Sequence, residues 1–230
     1  MNKHNALSQL YDRLFHQSIG KIGRGDLLPD QMIDHPGDNR RGLTLLIRPN
    51  DEIKDKISRF QQEMKSIDEE QYYQPAADLH ITALSIISCY DGFNLEDVSI
   101  PDYVQVISES MKDIPEMRLH FHGITATQEA IMIQGFPVDN GLETLRDRIR
   151  KNFGFTNLQQ SIDLRYKLST AHLTSIRFRK ALKSADKFAA ALQKYRETDF
   201  GEMQAASLEL VYNDWYQKNI IVKTLHRFTL

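Results

Sequence analysis

The chain has 230 residues, 41% of them hydrophobic and 26% charged, and a formal net charge of −2 at pH 7. It is long enough to bury a substantial core and too apolar for disorder to be the default. Its near-neutral charge argues against a dedicated duplex-DNA binder, so any polyanion must be held by a local patch.

Residues 1–40 read as an extension. Leu7, Leu10 and Leu14 follow helical spacing, and "GKIGRGDLLPDQMIDHPGDNRRG" is then punctuated by Gly and Pro without periodicity. The opening residues alternate polar and apolar, without the continuous apolar core of a signal peptide. No run approaches the roughly 18 apolar residues of a membrane span. The single cysteine, Cys89, suits a reducing compartment and reads as a small buried hydrophobe. A soluble, cytoplasmic monomer without membrane contacts is expected.

From residue 41 the pattern becomes regular. "GLTLLIRP" reads as a buried strand stopped by Pro49, and Asn50 or Asp51 caps a helix carrying Ile53, Ile57, Phe60 and Met64 on one face. A strand, "DLHITALSII", follows and contains the triplet His80-Ile81-Thr82. Tyr73, just before the turn forced by Pro75, is placed to reach the mouth of any cleft at this triplet. Pro101 opens a helix presenting Val104, Ile107 and Met111. "MRLHFHGITATQEAIMIQGFP" is then a hairpin turning at 126–129. His120 and His122 share a strand face there and could begin a metal site, but no third or fourth ligand stands at short spacing. A solvated hairpin face is the reading, with no metal.

The pattern then recurs. A helix with Asp139 near its cap carries Leu142, Leu145 and Ile149, and a second strand, "TAHLTSIRF", contains His172-Leu173-Thr174. Arg165, Lys167, Arg177, Arg179, Lys180 and Lys183 flank this triplet, and all but Arg177 could give a weak phosphate-attracting rim. Strict alternation puts Arg177 on the face opposite His172, so a solvated role is expected for it. A further helix with Leu182, Ala185, Ala189 and Leu192 leads to a last hairpin that turns around 213–219. Trp215, at that turn, either packs at the hairpin tip or offers a face on which a base can stack.

The two triplets carry the chemistry. A strand turns alternate side chains to one face, so each triplet puts its His and Thr on the same side. His16-Gln17-Ser18 also fits the tripeptide, but it sits on a helical pattern that would splay its side chains apart. Two halves of like layout facing each other would bring both triplets to one cleft. There, two imidazoles can hold different protonation states near neutral pH, one as base and one as acid. The Thr hydroxyls are short donors for phosphoryl oxygens. This chemistry demands no cofactor.

With these paired triplets and the duplicated strand-helix layout, residues 41–230 resemble the 2H phosphoesterases, the group that includes RNA 2′,3′-cyclic phosphodiesterases and 2′-5′ RNA ligases. The resemblance implies an α+β, bilobal, pseudo-twofold fold, with two antiparallel sheets lining a central cleft and helices outside. Lobes near 41–130 and 131–230 are expected. By the same resemblance, His80 and His172 are the acid-base pair, and Thr82 and Thr174 bind phosphate. The resemblance also implies a substrate that is a small nucleotide or an RNA end, with a 2′,3′-cyclic or 2′-5′ phosphodiester cleaved without a metal. Two other functions use the same side chains: a sugar epimerase or mutarotase, and a nucleotide- or RNA-binding module without turnover.

Overall fold

In a computed structural model describing residues 3–230, the elements run α1 (Lys3–Gly23), β1 (Arg40–Ile47), α2 (Asp51–Ile67), β2 (Tyr72–Tyr73), β3 (Ile81–Asp91), α3 (Ile100–Met111), β4 (Arg118–Ala126), β5 (Ala130–Pro137), α4 (Gly141–Phe153), β6 (Leu173–Arg177), α5 (Ala185–Lys194), β7 (Asp199–Gln204), β8 (Ser207–Asp214) and β9 (Lys223–Thr229), with a single 3-10 turn at Leu95–Asp97. The fold is α+β, with all strand pairs antiparallel in two sheets of order β3-β1-β8-β9 and β2-β6-β5-β4-β7. Among the described residues no helix is long and apolar enough to cross a membrane.

The local reading of the sequence explains most elements. In α2, Ile53, Ile57, Phe60 and Met64 are buried at helical spacing, and the Asn50 side chain accepts a hydrogen bond from the Ile53 amide at 3.0 Å. Leu142, Leu145 and Ile149 bury the inner face of α4, and Asp139 Oδ1 accepts from the Gly141 amide. The hairpin of β4 and β5 turns at 127–129. Two short elements escape a sequence reading: β2, of two residues, and β7, whose "DFGEMQ" breaks alternation at Gly201 with φ 105°.

Assembly departs from the expected lobes. Neither sheet is built from 41–130 or 131–230 alone: β1 and β3 are completed by β8 and β9, while β5 and β6 are completed by β2, β4 and β7. The connecting helices cross over too, α2 packing on β6 and β7 and α4 on β3. Each half lends a helix and two strands to the other's sheet. Pairing partners are chosen by long-range burial, which periodicity does not encode. The extension is also part of the body: α1 packs on β4, β5 and α5, burying Tyr11, Phe15 and Ile22. Beyond it, the Leu28 amide donates to the Gln128 carbonyl and the Asp30 amide to the Phe178 carbonyl.

Candidate active site

His80 and His172 lie one residue before β3 and β6, and both line a single cleft between the sheets together with Thr82, Thr174, Arg177 and Trp215. The strands share a second device. In β3, Leu45 and Leu46 of β1 face Leu84 and Thr82, leaving Ala83 without a partner; in β6, Ile131 and Met132 of β5 face Ile176 and Thr174, leaving Ser175 without one. Each triplet thus runs directly into a bulge, which adds a residue and re-aims the side chains after it. In β3 a second unpaired residue, Ile86, repeats the shift, so Thr82, Ser85 and Ser88, spaced by three, all line the cleft.

The bulge in β6 overturns the expectation for Arg177. The extra residue at Ser175 cancels the parity of a regular strand and turns Arg177 to the side of His172 and Thr174. Its guanidinium lies 5.5 Å from the centre of the Tyr216 ring, and its buried Nε has no hydrogen-bond partner. Among the described residues it makes no ion pair; the first opposing charge acting on it is Asp30, beyond ion-pair distance. Burial pulls its pKa down, since a desolvated cation without a carboxylate in contact is costly. Such a group is preset for an anion from solution.

Each imidazole is anchored through Nδ1. His80 Nδ1 lies 2.8 Å from the Asp78 carbonyl, an acceptor only, so this nitrogen carries the proton and Nε2 is left for the cleft. His172 Nδ1 lies 2.9 Å from Thr170 Oγ1, which can donate or accept. Burial is the main cause that lowers both rings to a pKa of about 4, against an ordinary 6.5. The positive charge of Arg177 lowers both further, while the Asp78 carbonyl works the other way on His80.

As pH falls, the unfolded chain takes up protons on these histidines first, so the stability contributed by the neutral rings is whole above about 6.5 and is lost toward 4. The melting temperature of the wild type should therefore fall more steeply between pH 7 and 5 than that of His80→Gln. Parallel curves would refute the low pKa of His80.

The remaining expected residues divide. Trp215 lines the cleft, with Arg165 at 4.7 Å and Arg40 at 5.2 Å from its ring centre. Tyr73 does not: it pairs with the buried Ile176, and its hydroxyl donates to the Asp68 carbonyl at 2.5 Å. Alternation across β2 leaves its neighbour Tyr72 opposite Arg177 instead. His120 and His122 are outside the cleft, on β4, where His120 Nε2 lies 3.0 Å from Asp199 Oδ1. Among the described residues no group of three or more His, Cys, Asp or Glu side chains is placed to hold a metal. Cys89 is buried at the cleft wall, and burial pushes its thiol up to about 12, which leaves it a poor nucleophile.

Two triplets and a guanidinium in one cleft invite comparison with known proteins. Residues 44–219 match the model of the AKAP7 2′5′ RNA ligase-like domain. The chain belongs to that family. It is thereby a member of the 2H phosphoesterase superfamily, and the membership supports a phosphoesterase activity in broad terms. The extension before residue 44 lies outside the matched stretch. No curated protein sequence matches. Among solved structures, E. coli LigT complexed with 3′-AMP superposes with a TM-score of 0.55 at 14% identity, covering 83% of this chain and 98% of that one. TT0787 of Thermus thermophilus gives 0.53 at 14% identity, over 82% and 97%. A conserved protein of Agrobacterium tumefaciens gives 0.51 at 12% identity, over 92% and 97%. At these identities the likeness is one of fold.

Proposed function

We propose that the protein is a metal-independent phosphoesterase that hydrolyses a 2′,3′-cyclic or 2′-5′ phosphodiester of RNA or of a small nucleotide. The observation that carries the reading is a part-buried arginine, its Nε buried without a hydrogen-bond partner and no carboxylate in contact, set beside two imidazoles and two hydroxyls. Arg177, Thr82 and Thr174 would hold the non-bridging oxygens, where charge accumulates during attack at phosphorus.

The proton balance assigns the histidines. A phosphate anion in the cleft favours one protonated ring, and the Asp78 carbonyl stabilises the charged form of His80. His80 then acts as acid and gives its Nε2 proton to the departing ribose oxygen. His172, with Nδ1–H directed at Thr170 Oγ1, acts as base and takes a proton from the attacking water. Water oxygen bonds to phosphorus, the ribose oxygen leaves as a hydroxyl, and the products are a phosphomonoester and a His pair with its proton exchanged. Trp215 is the surface on which the base would stack. Nucleotides such as the 3′-AMP held by LigT are the class of ligand this cleft suits.

An unpaired guanidinium favours this reading over a sugar epimerase, whose neutral substrate gives it no counter-charge. The test is incubation with nucleoside 2′,3′-cyclic phosphates and 2′-5′ dinucleotides in excess EDTA. One phosphomonoester isomer is expected, at an undiminished rate. Tight binding with unchanged nucleotide would leave a binding module and overturn the proposal, and loss of turnover on chelation would overturn the metal-free chemistry.

A further inference from the structure

Arg146 is fully buried in α4, yet it stands outside the cleft and the chemistry above does not use it. Its guanidinium reaches into both triplet segments. Nε donates to the Ala83 carbonyl at 2.7 Å, and NH2 donates to the Thr82 carbonyl at 3.0 Å and to the Thr170 carbonyl at 2.7 Å. NH1 is held by Glu143 at 2.6 Å. Thr82 belongs to the first triplet, Ala83 is the bulge next to it, and Thr170 carries the hydroxyl that anchors His172. Three carbonyls from two segments leading into different sheets thus meet on one planar donor group.

We infer that Arg146 is a positioning residue for catalysis, a rigid fork that fixes the separation of the two His-x-Thr segments and so the distance between His80 and His172. This inference rests on the phosphoesterase reading for its role, though not for its geometry. A second feature marks the arrangement as built. On the other side of the pseudo-twofold, Gln61 of the crossing helix α2 donates to the carbonyl of Ser175, the bulge after the second triplet, and to the Gln74 carbonyl, both at 2.9 Å. Each crossing helix therefore supplies a buried donor to the bulge in the other half. Arg146, with its several donors in one plane, spans both triplet segments.

A lysine has the charge but not the fork. It can satisfy carbonyls on one side and cannot hold both strands at a fixed distance. Arg146→Lys is expected to stay folded, with kcat toward a 2′,3′-cyclic nucleotide falling about 100-fold and KM changing less than about threefold, since a small misplacement at a reacting pair has that effect. Glu143→Gln, which leaves the three carbonyl bonds in place, is expected to keep kcat within about threefold. Turnover is to be expressed per folded molecule, from the native fraction in each sample.

The arm that does not depend on turnover is a histidine-labelled NMR titration with inorganic phosphate. In the wild type both rings should respond together to phosphate, and in Arg146→Lys the responses of His80 and His172 should separate, with phosphate affinity changing less than about threefold. Wild-type kcat in Arg146→Lys, or an activity loss that merely tracks the unfolded fraction with unaltered ring responses, would overturn the inference. If the wild type turns over no phosphodiester but the ring responses separate as described, the positioning role stands and the phosphoesterase reading falls.

Discussion

Replacing either His80 or His172 by alanine is expected to reduce hydrolysis of a 2′,3′-cyclic phosphate by about 10²–10⁴-fold, the range for loss of a positioned acid or base. The double variant should be little worse than either single one, because a proton relay fails as a unit. Both rings are anchored through Nδ1 to groups of the polypeptide, so alanine removes the reacting Nε2 without disturbing a strand ladder. Thermal melting at pH 7.5 should show folded variants. If His80→Ala kept a tenth of the wild-type rate, the paired-imidazole mechanism would be lost.

The second large effect concerns Arg177. Arg177→Met should lower kcat/KM by about 10²–10³-fold, as expected for removal of a preorganised charge from a phosphoryl site. The same substitution should leave the melting temperature unchanged or raise it, because the wild type carries a desolvated cation with no carboxylate in contact. Activity and stability would then move in opposite directions, a signature that a merely structural arginine would not give. Calorimetric titration with inorganic phosphate checks the point directly. Equal phosphate affinity in wild type and variant would remove Arg177 from the site.

Local features were legible in the sequence. The triplets, the apolar faces of α2 and α4 and both long hairpins are properties of short windows, in which the period of the apolar residues matches the element that forms. The features it concealed have two causes. One is the bulge: a single unpaired residue, Ser175, reversed the parity argument for Arg177, and neither Thr174 nor Ile176 announces it. The other is partner choice across the chain, which decides that β8 rather than β4 lies beside β1 and that Tyr73 faces the core. Arg146 left a signal that periodicity could have caught. Placed four residues after Leu142 and three before Ile149, it is a charge on the apolar face of α4, and a charge there requires partners.

The exchanged strands have a consequence for how the chain is made. Thr44 finds its neighbour in Val211, so the sheet that carries His80 must wait for the chain as far as Val211 to leave the ribosome before its central pair can form. Until then β1 and β3 expose an apolar surface with an open edge, a state prone to adhesion between chains. Ordering by such remote partners also makes folding slow relative to proteins rich in local contacts. Cutting the chain near residue 130 would not yield two working pieces, and a nascent copy stalled before β8 would be a substrate for chaperones rather than half an enzyme.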